Sequence, residues 1–283
     1  MDKQYEALFT PWKIGNVEIK NRIVMCPMGG TSLFGWFELG GCHFDKEAAK
    51  LFLERANNNV GLIIPGIAPL RDTFWGKWLW QNPKMFEELK EFMDEIHKTG
   101  AKLFIQLTAG MGRSWAITEL IAPLHKNKFT RALIKPVIDT SHELASPSPQ
   151  KSRWAHDVIC PEMTVEQIHE IIEAFAKTAK LCRDAGVDGV EVHAVHEGYL
   201  LDQFAIEYFN KRTDEYGGSF ENRYRFAVDV VKAIKEACGE DFPVSLRYSV
   251  ESKMKDFCYG AMPGEEYTEV GRAMPESEKA AKY

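Results

Sequence analysis

Five short, continuously apolar runs recur along the chain: NRIVMCPM from 21, VGLIIPG from 60, AKLFIQL from 101, GVEVHA from 189 and PVSLRYS from 243. A strand that does not alternate apolar and polar residues is covered on both faces, which is the signature of a parallel sheet. Segments of helical period separate the runs. In the clearest, from Thr164 to Ala185, residues Ile168, Ile171, Ile172, Phe175, Ala179 and Cys182 fall on one face, with a capping box at Thr164 and Gln167 and a stop at Gly186. Helices are also predicted over 45–58, 84–98 and 220–238, and from Gly264 to the end. This alternation requires helical crossovers, and the sheet is either doubly wound or closed into a barrel. The Gly-rich turn MGGTSLFG does not fit G-x-G-x-x-G, and no acidic residue ends the second strand, which disfavours a dinucleotide-binding Rossmann domain. A length of 283 residues suits one α/β barrel of about 250 residues or two domains of about 150.

With 45% hydrophobic and 27% charged residues the chain has the make-up of a soluble globular protein. Its formal charge of −6 and lack of a basic block point away from nucleic acid and anionic membranes and toward small-molecule partners. No apolar run reaches the roughly 18 residues of a spanning helix, and the start MDKQYEALF lacks the apolar core of a signal peptide, so a cytoplasmic location is expected. Cys26, Cys42, Cys160, Cys182, Cys238 and Cys258 contain no C-x-x-C pair and read as reduced, mostly buried thiols. Residues 1–20 read as a hairpin turning at Gly15-Asn16, a plug for the bottom of a barrel. Residues 108–163, with Pro123, Pro136, Pro147, Pro149 and Pro161, read as one long irregular loop of the kind that covers a site.

Four segments together resemble the old yellow enzyme family of FMN-dependent oxidoreductases, above all its branch with 2,4-dienoyl-CoA reductase and bile-acid-inducible flavin reductases. They are LFTPWKIGNVEIKNRIVMCPMG, FIQLTAGMGR from 104, GVEVHAVHEGYLLDQF, and NKRTDEYGGSFENRYRF from 210. The resemblance implies an eight-stranded (β/α) TIM barrel with FMN across the C-terminal strand ends, where barrel active sites sit. The strand reading agrees, since Pro27-Met28, Gln106, His193 and Arg247 all fall at or near such ends.

By resemblance, the Pro27 and Met28 backbone packs against the flavin, Gln106 hydrogen-bonds its ring, and Arg247 sits at its pyrimidine edge to stabilise the reduced anion. His193 and His196 correspond to the pair that binds a substrate carbonyl, and Tyr199 to the proton donor. The implied reaction passes hydride from NAD(P)H through FMN to an α,β-unsaturated carbonyl compound, or runs in reverse as a desaturation. An enone or enoyl-type small molecule is the expected partner, with homo-oligomerisation left open. An iron-sulfur cluster and FAD belong only to a longer parent protein. Three departures stand out. Gly29 replaces the Thr, Ser or Cys of many relatives, Pro65 replaces Ala or Thr, and Glu197 is inserted ahead of Gly198-Tyr199.

Other readings stand beside this one. His193, His196 and Glu197 are also competent metal ligands for a non-flavin barrel enzyme. Strand geometry sends residues three apart to opposite faces, so the two histidines converge only if the strand has already ended. In NKRTDEYGGSFENRYRF, the Gly217-Gly218 turn, the Ser219 cap and ion pairs of Arg212, Asp214, Glu215 and Arg223 read as scaffold. Trp75, Trp78 and Trp80 read equally as a pocket wall or a subunit contact. Only five of eight barrel strands are present, which predicts a C-terminally truncated piece of a longer protein, without the phosphate-binding loops of strands seven and eight. An inactive fragment that binds no cofactor is the third reading. Pro275 is expected to break the final helix.

Overall fold

The computed structural model describes residues 3–35, 41–115, 121–196, 199–256, 258–269 and 274–283. Its central sheet contains Val24–Met25, Leu62–Ile63, Lys102–Thr108, Gly189–Ala194 and Val244–Tyr248, each beside the strand preceding it in this series. Ala68–Pro69 pairs in addition with the end of Lys102–Thr108. The strands paired between Val24 and Ala194 are parallel. A doubly wound sheet reverses its strand order at a switch point. Addition always on the same side is instead the order of a barrel wall, so the fold is that of the first five strands of a (β/α) barrel.

The crossover helices are Lys46–Asn57, Pro83–Lys98, Val165–Asp184 and Phe220–Cys238. Asp45 caps the first, its carboxylate accepting the N–H groups of Glu47 and Ala48 at 2.9 Å. The Thr164/Gln167 capping box forms reciprocally, at 3.0 and 3.2 Å. Gly186 ends that helix with φ +88°, a left-handed conformation open to glycine at little cost.

The chain divides into two compact units. The first comprises Met1–Thr108, Glu173–Val192 and Val230–Leu246, and the second Ala109–Ile172, His193–Asp229 and Arg247–Tyr283. In the first, Trp12–Ile14 and Val17–Ile19 form an antiparallel hairpin. Its Ile19 is buried with Leu62, Ile64 and Phe104, while Trp12, Ile14 and Val17 pack around them. Residues Lys3–Phe9, read from sequence as part of the hairpin, form a 3-10 helix instead.

The second unit departs further from the sequence reading. Residues 108–163 are not structureless. They hold the helices Ile121–Lys126 and Lys128–Ile134 and the strand pair Gln150–Lys151 and Ile159–Cys160, around a core of Trp115, Ala122, Leu144, Val158 and Cys160. The prolines bound these elements rather than forbid them. Pro123 sits in the first turn of its helix, where the N–H has no intrahelical partner, and Pro136 follows the end of the next. A helix from Gly264 is likewise not formed. Lys253–Met254 pairs with Thr268–Glu269, and the last helix is Met274–Lys282. Pro275 is its second residue and starts the helix instead of breaking it. Among the described residues no helix is long and apolar enough to cross a membrane.

Candidate active site

In the first unit, the chain leaves the strand Val24–Met25 through Pro27 into a turn. Thr31 closes it, with its N–H and Oγ1 donating to the Met28 carbonyl at 3.3 and 2.9 Å. Pro27 is half-buried, and Met28 and Gly29 are exposed. A Cβ on Gly29 would meet nothing within 4 Å, so packing does not demand glycine there, and a hydroxyl or thiol side chain would fit. Gly66 is a different case, and sequence reading passed it over. Its N–H donates to the Thr31 carbonyl at 2.6 Å, and a Cβ would lie 2.3 Å from the Met28 carbonyl oxygen. Gly66→Ala is therefore expected to push the 28–31 turn aside. Unfolding, followed in urea, should become easier by about 1–3 kcal/mol. Unchanged stability would refute a tight seat at Gly66.

Gln106 lies buried on Lys102–Thr108, directly opposite Glu191 on the neighbouring strand. Its Nε2 donates to Glu191 Oε1 at 2.6 Å, and Ser245 Oγ, one strand further, donates to Glu191 Oε2 at 3.3 Å. A carboxylate only accepts, so the amide NH2 must face Glu191 and the amide oxygen must point away. That Gln106 Oε1 is buried and has no hydrogen-bond partner among the described residues. An orphaned buried acceptor calls for a donor from outside the chain, and the imide N–H of a flavin ring fits it. Glu191 was missed in sequence. The signal was present, since a carboxylate inside a run buried on both faces needs a partner.

The second unit gathers His193, His196 and Tyr199. The ring centroids of His193 and Tyr199 lie 4.0 Å apart, those of His193 and His196 5.4 Å, and those of His196 and Tyr199 6.1 Å. The strand ends at Ala194 and His196 adopts φ +74°, so the opposite-face rule no longer applies and the two imidazoles converge. A left-handed non-glycine residue costs on the order of 1–3 kcal/mol. The His196 N–H donates to Ser249 Oγ at 3.1 Å, which helps to hold it.

Tyr199 is the N-cap residue of the buried helix Leu200–Ala205. That helix is tied to the 110–113 loop. Leu200 N–H donates to the Gly110 carbonyl at 3.0 Å, and Gln203 Nε2 to the Met111 carbonyl at 2.9 Å. Glu197 and Gly198 lie outside the described residues.

Burial is the main electrostatic influence on all three rings. It pushes His193 down to about 3, with the charges of His196 and Arg247 acting in the same direction. His196 is lowered by burial and then by Arg247, against an opposing pull from Asp202. Tyr199 is raised by burial, partly offset by Arg247. At neutral pH the site thus presents a neutral His193 imidazole and a protonated phenol. Arg247 acts on each ring as a fixed cation. His193 Nδ1 is buried without a partner among the described residues, ready for a ligand.

The NKRTDEYGGSFENRYRF segment braces this unit. Buried Arg212 donates through Nη1 to the carbonyls of Pro147 and Met163 at 3.1 and 2.6 Å, and through Nε to Asp214 at 2.9 Å. Arg223 Nε reaches the Ala205 carbonyl at 2.9 Å, at the end of the helix that Tyr199 begins. The tryptophans separate. Trp75 and Trp78 line a cavity of about 240 Å3 in the first unit, whereas the Trp80 ring lies 4.2 Å from Lys177 Nζ. Among the described residues no group of three or more His, Cys, Asp and Glu side chains is placed to hold a metal ion.

Residues 7–279 match the model of the NADH:flavin oxidoreductase / NADH oxidase family. The chain is 43% identical to a cinnamate reductase of Clostridium sporogenes, a match over all of this chain and 40% of that protein. It is 34% identical to an NADPH dehydrogenase of Bacillus velezensis, over 86% of this chain and 63% of that one. Among solved structures, an Old Yellow Enzyme from Pichia superposes with a TM-score of 0.68 at 31% identity, covering 86% of this chain and 60% of its own. The chain thus spans between two fifths and two thirds of the length of these proteins.

Proposed function

Since the chain belongs to the NADH:flavin oxidoreductase / NADH oxidase family, we propose that it carries the flavin-binding and catalytic residues of an FMN-dependent ene-reductase acting on α,β-unsaturated carbonyl compounds. The observation that carries this reading is the cluster of a buried, neutral His193, a half-buried, protonated Tyr199 and an exposed His196, their ring centroids 4.0 to 6.1 Å apart. FMN would supply the two-electron carrier, reduced by NAD(P)H and returning hydride to the alkene. Pro27, Met28, Gly29 and Arg247 would hold it together with Gln106, whose free Oε1 is the acceptor for a ring N–H.

The remaining work belongs to side chains. His193 and His196 donate hydrogen bonds to the substrate carbonyl oxygen, drawing charge from the conjugated alkene as negative charge builds there. Because His193 is neutral, it polarises that oxygen without giving up a proton to it. Tyr199 delivers the proton to the α-carbon. Burial keeps its O–H intact at neutral pH, so it acts as an acid and does not compete as a base. The likeness to a cinnamate reductase favours an aryl-substituted acrylate as the first substrate to test.

The test is the visible spectrum of the purified chain with added FMN, followed by release and quantitation of the flavin. A stoichiometric band that weakens in Gln106→Leu is expected. No bound flavin, or a Gln106→Leu variant that retains it fully, would overturn the assignment.

A further inference from the structure

We propose that Cys258 and His156 form a reactive-thiol site that takes electron-poor alkenes, of the α,β-unsaturated carbonyl class, as covalent adducts. Cys258 Sγ lies 3.0 Å from His156 Nε2. Both residues line an open cavity of about 470 Å3 in the second unit, together with Gln150, Lys151, Asp256 and Tyr259. Cys258 is half-buried, as is Cys42, but the Cys42 thiol is pushed up to about 12 by burial and by the Asp72 carboxylate beside it, while Cys160, Cys182 and Cys238 are buried and Cys26 is exposed.

The neighbours decide which nitrogen carries the proton. His156 Nε2 also lies 3.1 Å from the Arg153 carbonyl oxygen, which can only accept. Nε2 therefore bears the hydrogen and presents it to the sulfur as well. The thiolate is the attacking form of cysteine, and an N–H aimed at the sulfur stabilises the charge it carries.

The backbone around the sulfur is pinned from both sides. Asp256 Oδ1 accepts the N–H groups of Cys258 and Tyr259 at 2.7 and 3.0 Å, and Arg153 Nε donates to the Cys258 carbonyl at 2.7 Å. A nucleophile held this way loses little freedom on reaction. Lys151 and Gln150 in the cavity wall supply a cation and an amide for the carbonyl oxygen of the acceptor.

The step balances without an oxidant or reductant. Sulfur bonds to the β-carbon, the alkene π pair moves to the α-carbon, and the proton the thiol released to water returns there through water. The proposal rests on this pair alone and needs no flavin, so it stands or falls separately from the reading above.

The experiment treats the full 283-residue chain with acrylamide under pseudo-first-order conditions and follows each cysteine by peptide mass spectrometry. Cys26 serves as the exposed reference thiol, and unlabelled Cys160 and Cys182 report an intact fold. Cys258 is expected to react at least about tenfold faster than Cys26. His156→Ala should bring it down to the Cys26 rate without moving Cys26, and His156→Gln, which keeps an N–H donor, should retain part of the advantage. Equal rates at Cys258 and Cys26 in the unaltered chain, the behaviour of a merely accessible thiol, would overturn the proposal. An unchanged Cys258 rate in folded His156→Ala would do the same.

Discussion

On the proposed ene-reductase reading, replacing Tyr199 by phenylalanine is expected to slow reduction of the alkene by about a hundredfold or more, the usual contribution of a positioned general acid, while reduction of the flavin by NAD(P)H proceeds at its normal rate. The substitution removes one oxygen and keeps the ring, whose centroid lies 4.0 Å from that of His193 at a tilt of 57°, so the packing of the cluster is preserved. What is lost is the only O–H in the three-ring cluster. Both histidines remain as hydrogen-bond donors, and binding of the carbonyl should change little. Hydride transfer from the nicotinamide requires no proton at the substrate α-carbon, so it does not involve Tyr199. Stopped-flow measurement of the two half-reactions in a flavin-loaded protein separates the cases. Equal slowing of both would remove Tyr199 from the role of proton donor and make it a structural residue.

The barrel order was legible because it follows from local patterns. GVEVHA is a strand over the same residues, Gly189–Ala194, in sequence and in structure. Helix ends set by Asp45, Thr164, Gln167 and Gly186 follow short-range capping chemistry. Of the candidate site, the sequence offered residue types but not how they meet. Nothing in V-H-E announces that His196 takes φ +74°, yet that conformation turns two residues from opposite faces into one pair. Glu191 meets Gln106 through cross-strand register, and Gly66 meets Met28 through a loop crossing. Both are non-local contacts that a linear pattern does not encode. Pro275 was misread for a local reason, since proline is harmless in the first turn of a helix and destructive only further along.

The chain is also expected to lose stability steeply as pH falls below neutrality, through two buried histidines of the second unit. Burial holds His193 down to about 3 and His125, assisted by the charge of Arg131, down to about 4, whereas an unfolded histidine titrates near 6.5. A depressed histidine favours the fold above its unfolded value. As pH drops below 6.5 the unfolded chain takes up protons that the folded chain refuses, and stability declines until the folded value is reached. Each group then contributes a slope of about 1.4 kcal/mol per pH unit. Between pH 6.5 and 5 the two together amount to roughly 4 kcal/mol, a large share of the roughly 5–15 kcal/mol that holds a protein folded. Carboxylates cannot produce the same early loss. Asp214, held low mainly by its hydrogen bonds from Arg212, binds protons only at lower pH. His125 Nδ1 lies 2.9 Å from Thr140 Oγ1, a contact that glutamine can imitate without titrating. Urea denaturation across pH 7.5 to 5 should therefore show a falling unfolding free energy in the unaltered chain and a clearly shallower slope in His125→Gln. A flat profile over that range, or an undiminished slope in the variant, would mean that these imidazoles accept protons within the folded structure.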